Sequence, residues 1–242
     1  MHQTQRAKEQ VFFSGMAVLA IVVSAIGFST TFIAPIARGA FAAPAVVHLH
    51  AVLFIAWLLL LLTQARLVAG RRLNWHRKLG LAGAALAIAM AASGIGVGLF
   101  AAHRDLAAGQ GTFAEQAFLT VWIEMGLFLA LVVAGIVQRN RPDVHKRLML
   151  LATITILGPA WFRFRHLFPG VENPLVVFSI IADSLVLFAM AADQMIWRRV
   201  NPVYWKAGLA MIAVHVGEVT LFGTAPFAAV AHAVARLSGL TA

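Results

Sequence analysis

Residues 44–69 read PAVVHLHAVLFIAWLLLLLTQARLVA, and Arg66 is the only Lys, Arg, Asp or Glu in the run. A helix rises about 1.5 Å per residue, so roughly 20 apolar residues cross about 30 Å of hydrocarbon, and this stretch is long enough to do so. In lipid the backbone must satisfy its own hydrogen bonds, which makes a helix the form such a segment takes. Six further stretches have the same character, at about 11–34, 78–101, 113–137, 147–168, 174–197 and 205–231. With 61% of the 242 residues hydrophobic and 12% charged, the composition lies far from that of a soluble domain. The mean hydropathy of +0.86 points the same way. The expected fold is all-α: a polytopic membrane protein, one seven-transmembrane-helix bundle spanning residues 1–242.

A net charge of +10 raises the question of nucleic acid, but the cations fall in short segments between the apolar runs. One side collects Arg6, Lys8, Arg66, Arg71, Arg72, Arg77, Lys78, Arg139, Arg141, Lys146, Arg147, Arg198, Arg199 and Lys206. The other holds Arg38, Arg104, Arg163, Arg165 and Arg236. This alternation is the positive-inside pattern, and it places the N-terminus in the cytoplasm and the C-terminus outside, in a bacterial inner membrane. The partner it implies is the lipid bilayer, with no nucleic acid. The first helix reads as a retained anchor, because Phe41-Ala42-Ala43-Pro44 places proline where a leader cleavage would have to follow. Cysteine is absent, which excludes disulfides, iron–sulfur clusters and covalently attached haem.

Ionisable side chains stranded in the apolar runs are the main functional signal. Each costs about 3 kcal/mol on insertion scales, so such residues mark function by default. Glu124, Asp183, His215 and Glu218 fall about 12–17 Å from the non-cytoplasmic helix ends, a common depth near the membrane centre. His215 and Glu218 are three apart and share a helix face. Imidazole and carboxylate converging from several helices suit a non-haem transition metal. The same groups also suit a proton path, with Arg163 as a possible charge partner. Nearer the surface, His50 lines up with Trp57 and Gln64 at heptad spacing, a stripe that belongs on the bundle interior; His48 points elsewhere.

On the cytoplasmic side, Trp75-His76-Arg77-Lys78-Leu79-Gly80 and Val144-His145-Lys146-Arg147-Leu148-Met149 each open a helix, 69 residues apart. They suggest an internal repeat in which helices two and three match helices four and five. A b-type haem between two helices needs two neutral imidazoles at equal depth and cations for its propionates, and both motifs supply them. These motifs, with His48-Leu49-His50 at the opposite end, resemble the histidine-at-helix-end pattern of transmembrane b-type cytochromes related to ferric reductases. They are also similar to small polytopic bacterial proteins associated with cytochrome oxidase assembly. The resemblance covers about a third of the chain. It implies that His76 and His145 are axial ligands of haem b, with His50 a possible ligand on the other side, and that the function is electron transfer or haem handling. His50 has no partner at its own depth, and Glu124, Asp183 and Glu218 stand outside the family pattern.

Small residues dominate the third helix, where Gly94 and Gly98 form a GxxxG spacing suited either to packing within the chain or to a homodimer. Gly158-Pro159 interrupts the fifth helix. No phosphate loop or serine elbow stands out, which disfavours a nucleophilic hydrolase. The seventh helix carries lysine only at its entry, Lys206, which disfavours a retinal Schiff base. The leading expectation is a haem- or metal-binding membrane protein with a redox or metal-handling role, a possible membrane oxidoreductase. A proton-coupled transporter or channel without cofactor is the alternative, and an accessory subunit of a larger membrane complex the third reading.

Overall fold

A computed structural model describes residues 2–240, and the described residues contain helices and no strand. The principal helices are α1 (His2–Gly27), α2 (Ala45–Ala69), α3 (Leu73–Ala107), α4 (Thr112–Val137), α5 (Pro142–Thr155), α6 (Gly158–Arg163), α7 (Pro174–Trp197), α8 (Leu209–Leu221) and α9 (Ala225–Leu237). Six segments are long and apolar enough to cross a membrane, with α5 and α6 counted as one; α8, with the turn at Tyr204–Gly208 before it, and α9 are a bent pair that makes a seventh when counted as one span. The chain is thus an apolar helical bundle of the polytopic membrane class.

Neighbours in sequence are neighbours in space. Hairpins pair α2 with α3, α3 with α4 and α4 with α5, while α1 packs on α2 and α6. The side of α2 that carries Leu49, Val52, Ile55 and Leu59 is exposed, as lipid contact requires. The heptad stripe turns inward: Trp57 is buried, donates its indole N–H to Thr153 Oγ1 at 3.1 Å, and meets Phe128 edge to face at 5.0 Å. A Trp indole buried in an apolar core needs such an acceptor, and here α5 provides it.

Glycines set how closely α3 sits in the bundle. A Cβ on Gly83 would meet Leu60 of α2, and Cβ atoms on Gly94 and Gly98 would meet Met125 and Val121 of α4. The GxxxG face is therefore filled by the chain's own α4. At Gly27 the backbone of α1 rests directly on the Ala160 carbonyl, a contact that any side chain at 27 would break.

Several helix boundaries depart from the sequence expectation, the fifth helix among them, which starts at Pro142 rather than 147. The first helix runs from His2 rather than 11, because Glu9 is anchored to Lys146, Arg147 and Trp197 and holds an extra polar turn. The third helix starts at Leu73 rather than 78, which makes His76 its fourth residue, just as His145 is the fourth of α5. The run expected at 205–231 is not one helix. It breaks after Leu221 and turns through 101°. Gly223 adopts φ +84°, open to glycine at little cost, and its N–H donates to Gln116 Oε1 at 2.6 Å. Pro226 then opens α9, which lies back on α4 with Phe227, Ala231 and Ala235 buried. His232 seals this contact by pairing with Glu115 at 3.0 Å.

Candidate functional site

Two histidine-bearing regions occupy opposite ends of the bundle. At the end that carries the N-terminus, the short α2–α3 and α4–α5 turns place His76 and His145 at equivalent helix positions, and the imidazole centroids lie 6.2 Å apart with planes at 89°. The Gly135 carbonyl accepts the His145 Nδ1–H at 2.8 Å. A carbonyl only accepts, so the tautomer is set and the Nε2 lone pair is left free. His76 Nδ1 is buried without a partner, while the His76 carbonyl accepts Gln64 Nε2 at 3.1 Å.

Both rings line a cleft of about 2050 Å³. Trp57, Leu60, Leu61, Val132 and Ile136 make an apolar wall, Gly80, Gly83 and Ala84 a flat one, and Arg71, Arg77, Arg139 and Arg199 a basic rim. Its floor is a buried ion network that sequence reasoning missed. Arg147, 2% exposed, holds Asp193 through two nitrogens, one at 2.9 Å, and reaches Glu9 at 3.3 Å. Lys146 holds Glu9 at 2.6 Å, Trp197 donates to Glu9 at 3.0 Å, and the Asn201 N–H donates to Asp193 at 3.0 Å. Read as an orientation charge, Arg147 is instead the tie between α1, α5 and α7. The acids Glu9 in α1 and Asp193 late in α7 were the signals of it.

At the opposite end, helices α4, α7 and α8 bring together all four residues expected to share a depth. Asp183 Oδ1 meets His215 Nδ1 at 2.6 Å, and Glu124 Oε1 faces His215 Nε2 at 3.3 Å. The Glu218 carboxyl is a close neighbour of that of Glu124. The four lie unevenly along their helices: Glu218 is only about one helical turn from the end of α8 at Leu221, while Glu124 and Asp183 stand twelve and nine residues inside α4 and α7.

No group of three or more His, Asp or Glu able to hold a metal ion occurs among the described residues. The four residues expected as a metal set form a chain of pairs, in which both imidazole nitrogens face carboxylates. Arg163 does not join them: its guanidinium donates to the Pro159 carbonyl and lies 4.3 Å from the Phe28 ring centroid. His50 donates to Ser93 Oγ at 3.0 Å, because that hydroxyl gives its own proton to the Met90 carbonyl. No second histidine stands against His50 among the described residues. No protein-family model matches the chain, and no curated protein or solved structure does either.

Proposed function

We propose that this integral membrane protein binds haem b between His76 and His145 in the basic-end cleft and serves one-electron transfer or haem handling at that face. The observation that carries the proposal is the pair of imidazoles 6.2 Å apart on the wall of one large cleft. Two metal–imidazole bonds of about 2 Å each put ring centroids on either side of one ion roughly 6 Å apart. The cleft, at about 2050 Å³, is larger than the about 300–1,000 Å³ of ordinary small-molecule pockets and has room for a macrocycle with side arms.

The surrounding residues have matching roles. Gly135 fixes the His145 tautomer, the kind of outer support that orients metal-bound imidazoles. The small residues of α3 give a planar ring room to approach. Arg71, Arg77 and Arg139 stand where propionates meet the interface. When bound, haem supplies a one-electron iron couple, and the apolar wall limits water access to it. With the basic end cytoplasmic, as the charge asymmetry implies for a bacterial inner membrane, the site faces the cytoplasm.

The test is the visible spectrum of the purified full chain, as isolated and after titration with haemin. A Soret band of equimolar haem, sharpened and displaced from that of free haemin and shifting again on reduction, is expected. Titrated haemin that keeps its free spectrum rejects the proposal.

A further inference from the structure

The outer cluster is independent of the haem cleft, and the mechanism above makes no use of it. The titratable groups that face one another are Glu124 from α4, Asp183 from α7, and His215 and Glu218 from α8; no Lys or Arg pairs with any of them among the described residues. Three acids around one base, fully ionised, would leave net negative charge in a region shielded by lipid, where every unneutralised charge is costly. Protons or a cation must make up the difference, and no metal-holding arrangement is present among the described residues.

Three atoms of the cluster are buried without a hydrogen-bond partner: Glu124 Oε2, His215 Nε2 and Glu218 Oε1. They are the acceptors a mobile proton uses. The cluster also reaches toward the end of the bundle opposite the N-terminus: Glu218 stands three residues before the end of α8 at Leu221. Helix α8 leans on α7 and touches α4 only sparsely, and the Glu124 side chain is 23% exposed beside a nearly buried His215.

We infer that Glu218, Glu124, His215 and Asp183 form a proton-exchange site, loaded and emptied from the membrane face opposite the N-terminus. A proton arriving on the Glu218–Glu124 carboxyl pair passes from Glu124 Oε1 to His215 Nε2. The imidazole gives its Nδ1 proton to Asp183 Oδ1, so the ring gains one proton and loses one and keeps its charge. Reversal through the same atoms empties the site. Phe128, one turn beyond Glu124 on α4 and fully buried, packs on Trp57 of the cleft wall, and the site is proposed as a half-path that stops at this contact.

The experiment is infrared difference spectroscopy of the full chain in phosphatidylcholine vesicles of sorted orientation, with the pH stepped on one side at a time. A protonated-carboxyl band is expected that responds to pH on the side opposite the N-terminus. It should lose amplitude in both Glu124→Gln and Glu218→Gln. His215→Ala should remove the Asp183 contribution while leaving that of the glutamates. A band in the unsubstituted protein that ignores pH, or that follows only the N-terminal side, overturns the inference without recourse to variants. So does its removal by sodium or zinc at fixed pH, which makes the site a cation site. Because the readout needs no haem, it stands or falls separately from the cleft.

Discussion

The two histidine-bearing regions are built from the same side chain and set it in opposite surroundings. In the cleft, His76 and His145 face each other with no carboxylate between them, and one ring has a lone pair freed by a backbone carbonyl. Cations stand at the rim. In the outer cluster His215 has a carboxylate at each nitrogen and no cation nearby. An imidazole with a free nitrogen opposite a second imidazole has the surroundings of a ligand, and on that the haem proposal rests; one bracketed by acids has the surroundings of a proton carrier, and on that the proton-exchange proposal rests. The chemistry follows from what surrounds the ring, and that was set by helix pairing more than by local sequence.

The largest expected effect is the one that separates these proposals. His76→Ala or His145→Ala should abolish the Soret band of haem-loaded protein, and His215→Ala should leave it intact. If His215→Ala bleaches the band while His76→Ala does not, the assignment of the two regions is reversed.

Stability offers the second contrast. The cleft floor is an electrically balanced network, in which Arg147 and Lys146 meet Glu9 and Asp193. Breaking a buried pair by removing one partner costs about 3–5 kcal/mol, because the other charge is stranded. Arg147→Met should therefore lower the thermal unfolding midpoint in detergent strongly, with α1 released first. Asp183→Asn removes an acid from a cluster already in excess of acid and keeps an oxygen for His215 Nδ1–H, so its cost should stay within about 1 kcal/mol. Equal destabilisation by the two substitutions would show that the outer cluster is balanced by a cation.

The bent seventh segment gives a third, smaller test. Gln116 accepts the Gly223 N–H, and Gln116→Leu leaves that donor buried or forces the bend to open. Such a loss is worth about 1–3 kcal/mol. Because α8 carries His215 and Glu218, the variant should also displace the infrared band of the outer cluster while sparing the cleft spectrum. An unchanged band would mean that α8 is held by its contacts with α7 alone.

Much of this arrangement was legible in the residues. Apolar runs of crossing length sufficed for the fold class, and the heptad of His50, Trp57 and Gln64 did face inward. The matched positions of His76 and His145 followed from two similar helix entries, and the common depth of Glu124, Asp183, His215 and Glu218 did bring them into contact. What the residues hid were events between distant segments. Glu9, Arg147 and Asp193 meet across 184 residues of chain, and a cation at a helix entry reads as a topology signal unless its partner is known. Hydropathy averages ran straight through Phe222-Gly223-Thr224-Ala225-Pro226, although glycine followed by proline is the local signature of a helix stop and restart. Spacing shows which donors converge, not whether their lone pairs aim at a common point or at one another, and in the outer cluster the imidazole nitrogens face carboxylates pairwise.

Between the regions stands Trp57, which touches α4 through Phe128 and α5 through Thr153. Trp57→Phe keeps an aromatic ring against Phe128 and removes the indole N–H, so the Thr153 hydroxyl loses a donor but keeps its own bond to the Met149 carbonyl. The expected cost is about 1 kcal/mol, the worth of one neutral hydrogen bond. Both the Soret band and the carboxyl band should survive, each at its original amplitude. The informative quantity is the side from which the carboxyl band responds to pH. If the indole only fills space, that response stays confined to the face opposite the N-terminus. If the variant admits a response from the N-terminal side as well, water has entered along the gap beside Thr153. Trp57 is then the partition that keeps the proton-exchange site and the haem cleft from sharing one aqueous path.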